Sequence, residues 1–292
     1  MVTGASGVVG RAVVKAMLAT DEVRATVRRA DAAESLRGIG AKVTVRAGTQ
    51  ADELAEVLPR CHTLVHLVGG VAQPDPEELY RANQGSLLVA IEAAQTAGTK
   101  RIIFLSVPGA DPDQQHPFLR AKWMAEQALA GSGLDYAILR CTHAYGLGGL
   151  WFTSTVHGAL ATPPFTCGPG TQEIAPVLAE DIGAVVAAMD DREGPLGGTW
   201  GLEGPDALTA DAFVSLLRDD DEPATHADGQ AAAAALTTVL GTPIDAVTAS
   251  FFGMSSRADA PDAAAAAFGV RRTGLLEGLR ATLAASAAID AG

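Results

Sequence analysis

The chain has 292 residues, 48% of them hydrophobic and 19% charged, which suits a full α/β core and excludes extended disorder. Its 34 Asp and Glu outweigh 21 Lys and Arg, and the resulting net charge of −13 disfavours nucleic acid and anionic membrane surfaces as partners. Cys61, Cys141 and Cys167 form neither a disulfide framework nor a zinc site, and an odd count suits a reducing compartment. No leader pattern opens the chain and no run of about 18 apolar residues follows, so it reads as cytoplasmic.

Taken in order, the first 140 residues alternate short β-like runs with helical patterns. Only Met1, Val2 and Thr3 precede the first glycine, so the opening strand reads as clipped, with a few residues expected before Met1. Further strands are expected at Val23–Arg28, Lys42–Val45, Thr63–Val68, Arg101–Ser106 and Tyr136–Arg140, each short and rich in branched or aromatic residues. A helix carrying Val9, Val13, Ala16 and Met17 on one face follows the first of them. Others are expected over Pro76–Ala97 and Phe118–Ala130, whose apolar faces suit pairing across a homodimer. Such alternation predicts an open, doubly wound parallel sheet of the Rossmann type, with ligands at the carboxyl ends of its strands.

Beyond Arg140 the regularity fails. Residues 141–176 are rich in Gly, Pro and aromatics, and Trp151, Phe152 and Phe165 suggest the wall of an apolar or aromatic pocket. Helices are expected at Ala179–Met189, Thr209–Arg218, Ala231–Leu236 and Ala263–Ala267, with a strand at Thr199–Leu202 and an acidic loop at Asp219–Asp221. The expected division is a dinucleotide-binding core over 1–140 and a smaller, interrupted substrate-binding cap over 141–292, parts of which return to the core.

Thr3-Gly4-Ala5-Ser6-Gly7-Val8-Val9-Gly10 stands between the strand remnant and the first helix. In that setting three glycines have separate tasks. Gly4 turns the chain, Gly7 lets a pyrophosphate approach the backbone, and Gly10 brings helix and sheet together. Ser6, Val8 and Val9 complete the loop, whose free N–H groups stand at the positive end of the helix dipole. The second strand ends in Arg28 and Arg29, where NAD(H) binders carry an acid, with Asp31 close by. Guanidinium groups match a 2′-phosphate, so NADP(H) is the expected cofactor.

These motifs, with Val65-His66-Leu67-Val68-Gly69-Gly70, Arg101-Ile102-Ile103-Phe104-Leu105-Ser106 and Ala121-Lys122-Trp123-Met124-Ala125-Glu126, resemble the atypical short-chain dehydrogenase/reductases of the NmrA-like, isoflavone-reductase-like group. Ser132–Arg140, and Phe268-Gly269-Val270 followed by Leu275–Leu279, extend the resemblance over nearly the whole chain. It implies that Val68, Gly69 and Gly70 pass the ribose and pyrophosphate, that Ser106 lies below the nicotinamide, and that Lys122 stands near its ribose. The pattern is broken at three points. Phe118 stands four residues before the lysine, where many relatives carry a proton-donating tyrosine; Thr49 replaces an acid expected near adenine; Cys141 replaces a proline.

Without that tyrosine the resemblance makes Lys122 either the general acid or base, or only a ribose ligand. His116, His143 and Tyr145 fall near the same mouth and are alternative proton donors, whereas His66, inside a strand, reads as a core residue. Ser106 is suited to hydrogen-bonding a substrate carbonyl. The reading that follows is an NADPH-dependent reductase of a small, mainly apolar or aromatic carbonyl or conjugated substrate. A non-catalytic NADP(H)-binding sensor and an epimerase-type enzyme are its rivals.

Overall fold

A computed structural model describes residues 1–46, 50–73, 75–218 and 222–290, with side chains described as far as residue 286. Thr49 and the Asp219–Asp221 loop therefore lie outside the described residues. Six strands open the chain: β1 (Val2–Thr3), β2 (Arg24–Val27), β3 (Lys42–Val45), β4 (Thr63–His66), β5 (Arg101–Ser106) and β6 (Asp135–Cys141). They pair in parallel in the order β3-β2-β1-β4-β5-β6, and strand Gly198–Leu202 adds in parallel outside β6. The order reverses between β1 and β4, which opens the crevice where such sheets take ligands.

Helices cover both faces of this sheet. On one lie α1 (Val8–Met17) and α2 (Ala30–Gly38); on the other lie α3 (Ala51–Ala55), α5 (Ser86–Ala97) and α6 (Pro117–Ala130). The expected single helix Pro76–Ala97 is built in three pieces. Asp75 caps α4 (Pro76–Tyr80), its carboxylate accepting the Glu78 N–H at 2.9 Å; a π-turn follows over Arg81–Gly85, and α5 ends at the left-handed Gly98. Leu79, Leu87, Ala90 and Ile91, with Phe118, Leu119, Ala125 and Leu129 of α6, are buried within the chain itself. Leu88 is the only large apolar side chain on α4–α6 that is exposed, so these faces are largely consumed by the monomer's own core.

The sheet does not end at Arg140. Helix Ala179–Asp191 packs on α1, and Gly183 lies so close that a Cβ there would meet the Ala12 carbonyl oxygen at 2.7 Å. With strand Gly198–Leu202, this helix returns from the second half of the chain to the nucleotide-binding layers. The cap is built from short helices and three two-stranded sheets, such as Phe165–Cys167 with Thr225–Ala227. Its core contains Tyr145, Trp151, Phe152, Phe165, Phe213 and Phe252, and Leu79 and Phe118 from the first half join it. Helix Ala246–Phe252, capped by Asp245, brings this core against the start of α6.

One charged side chain fastens the far end of the sheet. Arg101, at the start of β5, donates to Asp135 at 2.6 Å and to the carbonyls of Met189, Asp190, Arg192 and Gly194 at the end of helix Ala179–Asp191. Its side chain is 4% exposed and that of Asp135 20%, so removing the guanidinium strands a largely shielded carboxylate and several helix-end carbonyls. Arg101→Met is expected to lower the unfolding free energy by about 3 kcal/mol, read from urea or guanidinium titration.

Candidate functional site

The glycine loop meets its neighbours by backbone alone. Gly4 turns in the left-handed region, at φ 70°, and a Cβ there would lie 2.7 Å from the Leu67 carbonyl carbon. At Gly10 a Cβ would overlap the Gly4 carbonyl oxygen and lie 2.7 Å from the Ala5 Cα. Gly7 differs from both. Its φ of −69° is open to any residue, and the nearest protein atom to an added Cβ would be the Gly4 oxygen at 3.5 Å. Neither strain nor packing calls for a glycine here, and the helix N-terminus beside it is left open, as an anion site requires. Gly7 is the N-cap of α1 and offers no side-chain cap to the first N–H groups, those of Val8, Val9 and Gly10. Exposed Ser6 borders the loop, and Arg11 ties its carbonyl to that of Leu147 with bonds of 2.6 and 2.8 Å.

The next strand end is held by a residue that the sequence reading missed. Gly69 and Gly70 follow β4 and Val68, and buried Asn83 accepts the Gly70 N–H at 3.1 Å while donating to the Gly70 carbonyl at 3.0 Å. A Cβ on Gly69 would sit 2.5 Å from the Asn83 Oδ1. Asn83 belongs to the π-turn, and nothing in the helical periodicity announces such a turn.

At the end of β2 the two arginines part company. Arg29 is held by Asp31, with bonds of 3.0 and 2.6 Å, while exposed Arg28 has no ion-pair or hydrogen-bond partner among the described residues. Arg28 is therefore the better placed of the two to receive a 2′-phosphate.

Ser106 and Lys122 meet at the end of β5. Ser106 ends the strand, 1% exposed, and its Oγ has no hydrogen-bond partner. Lys122, buried on α6, donates to the carbonyl of Leu105 at 3.0 Å, with its Nζ 4.7 Å from the Phe104 ring centroid and 5.7 Å from that of Phe118. Its i,i+4 neighbour Glu126 would ordinarily pair with it. Instead Glu126 takes Arg140 in two bonds of 2.9 and 2.6 Å. Burial without a carboxylate of its own lowers the Lys122 ammonium to about 8, against a smaller raising influence from Glu126. His66 is a satisfied core residue, as expected, bonded to Thr3 at 3.0 Å and Ser86 at 3.1 Å.

The other candidate donors sit differently from the sequence reading. His116 is half-buried, not loose: its Nε2 lies 3.1 Å from both the Val247 carbonyl and the Ser250 Oγ, clamping helix Ala246–Phe252 to the start of α6. His143 is 5% exposed, stacks on Trp151 at 4.7 Å, and has a buried Nε2 without a partner; burial pushes its imidazole down to about 3. It is therefore a neutral ring at any working pH, a poor source of protons. Tyr145 is fully buried, and its hydroxyl lies against Gly278 of the C-terminal helix Leu275–Asp290. Burial, with Asp181 and Glu180 adding, drives that phenol above its usual range, which removes it from the mouth as a donor. Trp151 and Phe165 line a narrow cavity of about 20 Å³ in the cap, room for a single water, with Ser154 among its walls. Phe152 instead faces Tyr145.

A glycine-lined helix N-terminus, an open face at Gly7 and an orphaned serine hydroxyl at the end of β5 suit a dinucleotide. Residues 4–145 match the NAD(P)H-binding family. Over 96% of the chain the fold is shared with solved reductases and epimerases. The triphenylmethane reductase of Citrobacter sp., solved with NADP(H), superposes with a TM-score of 0.76 at 20% identity, covering 96% of this chain and 98% of that one. An NADPH-dependent quinone oxidoreductase of Escherichia coli, solved with NADPH, gives 0.74 at 22% identity, over 96% and 98%. Among curated proteins, the photosystem II assembly factor Ycf39 of Cyanophora paradoxa is 30% identical over 150 residues, which is 50% of this chain and 46% of that protein. The chain thus spans about half the length of that relative. A (4-alkanoyl-5-oxo-2,5-dihydrofuran-3-yl)methyl phosphate reductase of Streptomyces griseus is 25% identical over 211 residues, 72% of this chain and 69% of that protein. Among the described residues no helix is long and apolar enough to cross a membrane, and no cluster of three or more His, Cys, Asp or Glu could hold a metal.

Gly7 and Gly10 separate cofactor binding from folding. Gly7→Ala is expected to stay within about 1 kcal/mol of the parent stability while weakening NADPH binding by about tenfold or more. Gly10→Ala, which forces backbone apart, is expected to cost about 3 kcal/mol. Thermal unfolding alongside fluorescence titration with NADPH distinguishes the two outcomes.

Proposed function

We propose that the protein is an NADPH-dependent reductase of a small, mainly apolar or aromatic carbonyl or conjugated substrate, with Lys122 as its proton donor. The observation that carries this reading is the buried Lys122 ammonium, which has no carboxylate partner and hydrogen-bonds the residue before the unpartnered Ser106. The Gly4–Gly10 loop and the α1 N-terminus would hold the pyrophosphate, Val68–Gly70 the adjoining ribose, and Arg28 the 2′-phosphate that favours NADPH over NADH. When bound, NADPH supplies the hydride. The Ser106 hydroxyl donates to the substrate carbonyl and orients it. Lys122 gives its proton to the oxygen as charge develops there, and the neutral amine recovers a proton from solvent. The neighbouring Phe104 and Phe118 rings keep water from the ammonium and hold its acidity near neutrality. The three thiols, none in a disulfide, favour a cytoplasmic, reducing setting.

The rival reading, a sensor that binds NADP(H) and converts nothing, draws on one observation. Phe118 fills the position of the usual tyrosine and is 4% exposed, packed edge-on against Phe251 at 4.8 Å. Assay with NADPH against a panel of quinones, enones and aldehydes separates the two. Turnover that falls by about 10³ in Lys122→Met, with NADPH affinity retained, supports the reductase. Tight binding of both oxidation states without turnover supports the sensor.

The pH profile carries its own sign. The donor must be protonated, so kcat should be flat below the Lys122 pKa of about 8 and fall with rising pH above it. A rate that rises through this range would exclude Lys122 as the acid. For the cofactor, Arg28→Ala is expected to cut the preference for NADPH over NADH by about tenfold, read from the ratio of kcat/KM values or of dissociation constants.

A further inference from the structure

Arg140 stands beside Ser106 in the sheet, its register partner across β6 and β5. From there its guanidinium makes three bonds. Nε and Nη2 donate to the two oxygens of Glu126 at 2.9 and 2.6 Å, and Nη2 donates also to the carbonyl of Ala110, in the loop that leaves β5, at 2.8 Å. The Glu126 side chain is 3% exposed, so its charge must be met by a neighbour within the protein. Two cations compete for it. Lys122 lies one helical turn before Glu126 on the buried face of α6, the spacing at which lysine and glutamate ordinarily pair, yet its Nζ bonds the Leu105 carbonyl instead. The remaining charges act less. His66 of β4 lies within reach of the Lys122 charge but is neutral, pushed down to about 3 by burial with the ammonium adding. Asp259 and Asp111 act on Arg140 more weakly than Glu126 does.

Resting on the reading of Lys122 as proton donor, we propose that Arg140 is a positioning residue for that donor: its two-bond hold on Glu126 withholds from Lys122 the carboxylate that α6 would otherwise offer it, and its third bond fixes the loop that follows Ser106. The hold has a sign. With Arg140 in place, the Glu126 charge is largely cancelled before it reaches the ammonium. Without it, an ionised Glu126 one turn away favours the protonated lysine. Repulsion from the guanidinium is lost as well, so Lys122 becomes a stronger base.

The chain has four lysines, Lys15, Lys42, Lys100 and Lys122, so NMR of protein labelled with 13C at the lysine ε-carbon follows each titration separately, and Lys122→Met assigns the signal. Arg140→Met is expected to raise the Lys122 midpoint by about one pH unit or more, Glu126→Gln to lower it, and the double variant to return it close to the parent. Arg140→Lys, which keeps a cation opposite Glu126, should also stay close to the parent. If Arg140→Met does not hold its fold on thermal unfolding, Arg140→Gln takes its place with the same expected direction. A midpoint unchanged or lowered by loss of the guanidinium overturns the assignment. So does a rise that persists in the double variant, because a general loosening of the structure would not depend on Glu126. The titration needs no substrate and decides the role of Arg140 whether or not turnover is found. In variants that reduce a quinone with NADPH, the falling limb of kcat against pH should move with the NMR midpoint. A limb that stays while the midpoint moves counts against Lys122 as the donor and leaves the hold of Arg140 on Glu126 supported.

Discussion

The close approach of α1 to the structure on both sides of it is the constraint on which the rest depends. Gly10 removes the side chain between α1 and the glycine loop, and Gly183 removes the one between α1 and helix Ala179–Asp191. The helix is thereby lowered until its N-terminus stands at the carboxyl edge of β1 and β4, where Gly4 packs against the backbone after β4. Each of these contacts is backbone against backbone, so none tolerates a Cβ without displacement. A dinucleotide site made this way is inseparable from the packing of the sheet, with one exception. At Gly7 the space left by the missing side chain is open, and there the fold does not require a glycine.

The same edge of the sheet explains the state of Lys122. Arg140 leaves the end of β6 and takes both oxygens of Glu126, the acid that the helix spacing would give to the lysine. That pairing satisfies a carboxylate that is itself buried, and it strips Lys122 of its counter-ion. What remains is one backbone carbonyl and two aromatic faces. Aromatic rings stabilise an ammonium less than a carboxylate does, so desolvation dominates and the group becomes a weaker base than an ordinary lysine. The acidity proposed for catalysis is thus set by competition between two cations for one acid.

Much of this was legible in the sequence because its physical signal is local. Strands β2 to β6 coincide with the expected apolar runs to within two residues, and Ala263–Ala267 is helical where alanine alone suggested it. The turn at Gly4 and the close packing at Gly10 were readable from the strand–loop–helix setting. What escaped depends on contacts distant in sequence. Asn83 sits in a π-turn inside a stretch whose periodicity reads as ordinary helix, and its partner Gly70 lies 13 residues away. Tyr145 looked like a member of the mouth because it closely follows β6, yet the short strand Ala144–Tyr145 pairs with Val177–Leu178 and carries the ring into the cap core. His116 read as a proton donor near the mouth, but helix Ala246–Phe252, more than a hundred residues later, supplies both of its partners.

The replacement of tyrosine by Phe118 gains a physical meaning from these neighbours. A tyrosine at this position would place a hydroxyl between Lys122 and Phe251, inside the cap core, where it would need a partner. Phenylalanine needs none. It packs edge-on against Phe251 and shields the ammonium, joining the nucleotide-binding half to the cap through one apolar contact. Phe118 thus brings no titratable hydroxyl to this position and is one of the two rings that bury the lysine. Burial shifts Lys122 to about 8, into the range where it can give up a proton near neutral pH, the capacity on which the proposed reduction depends.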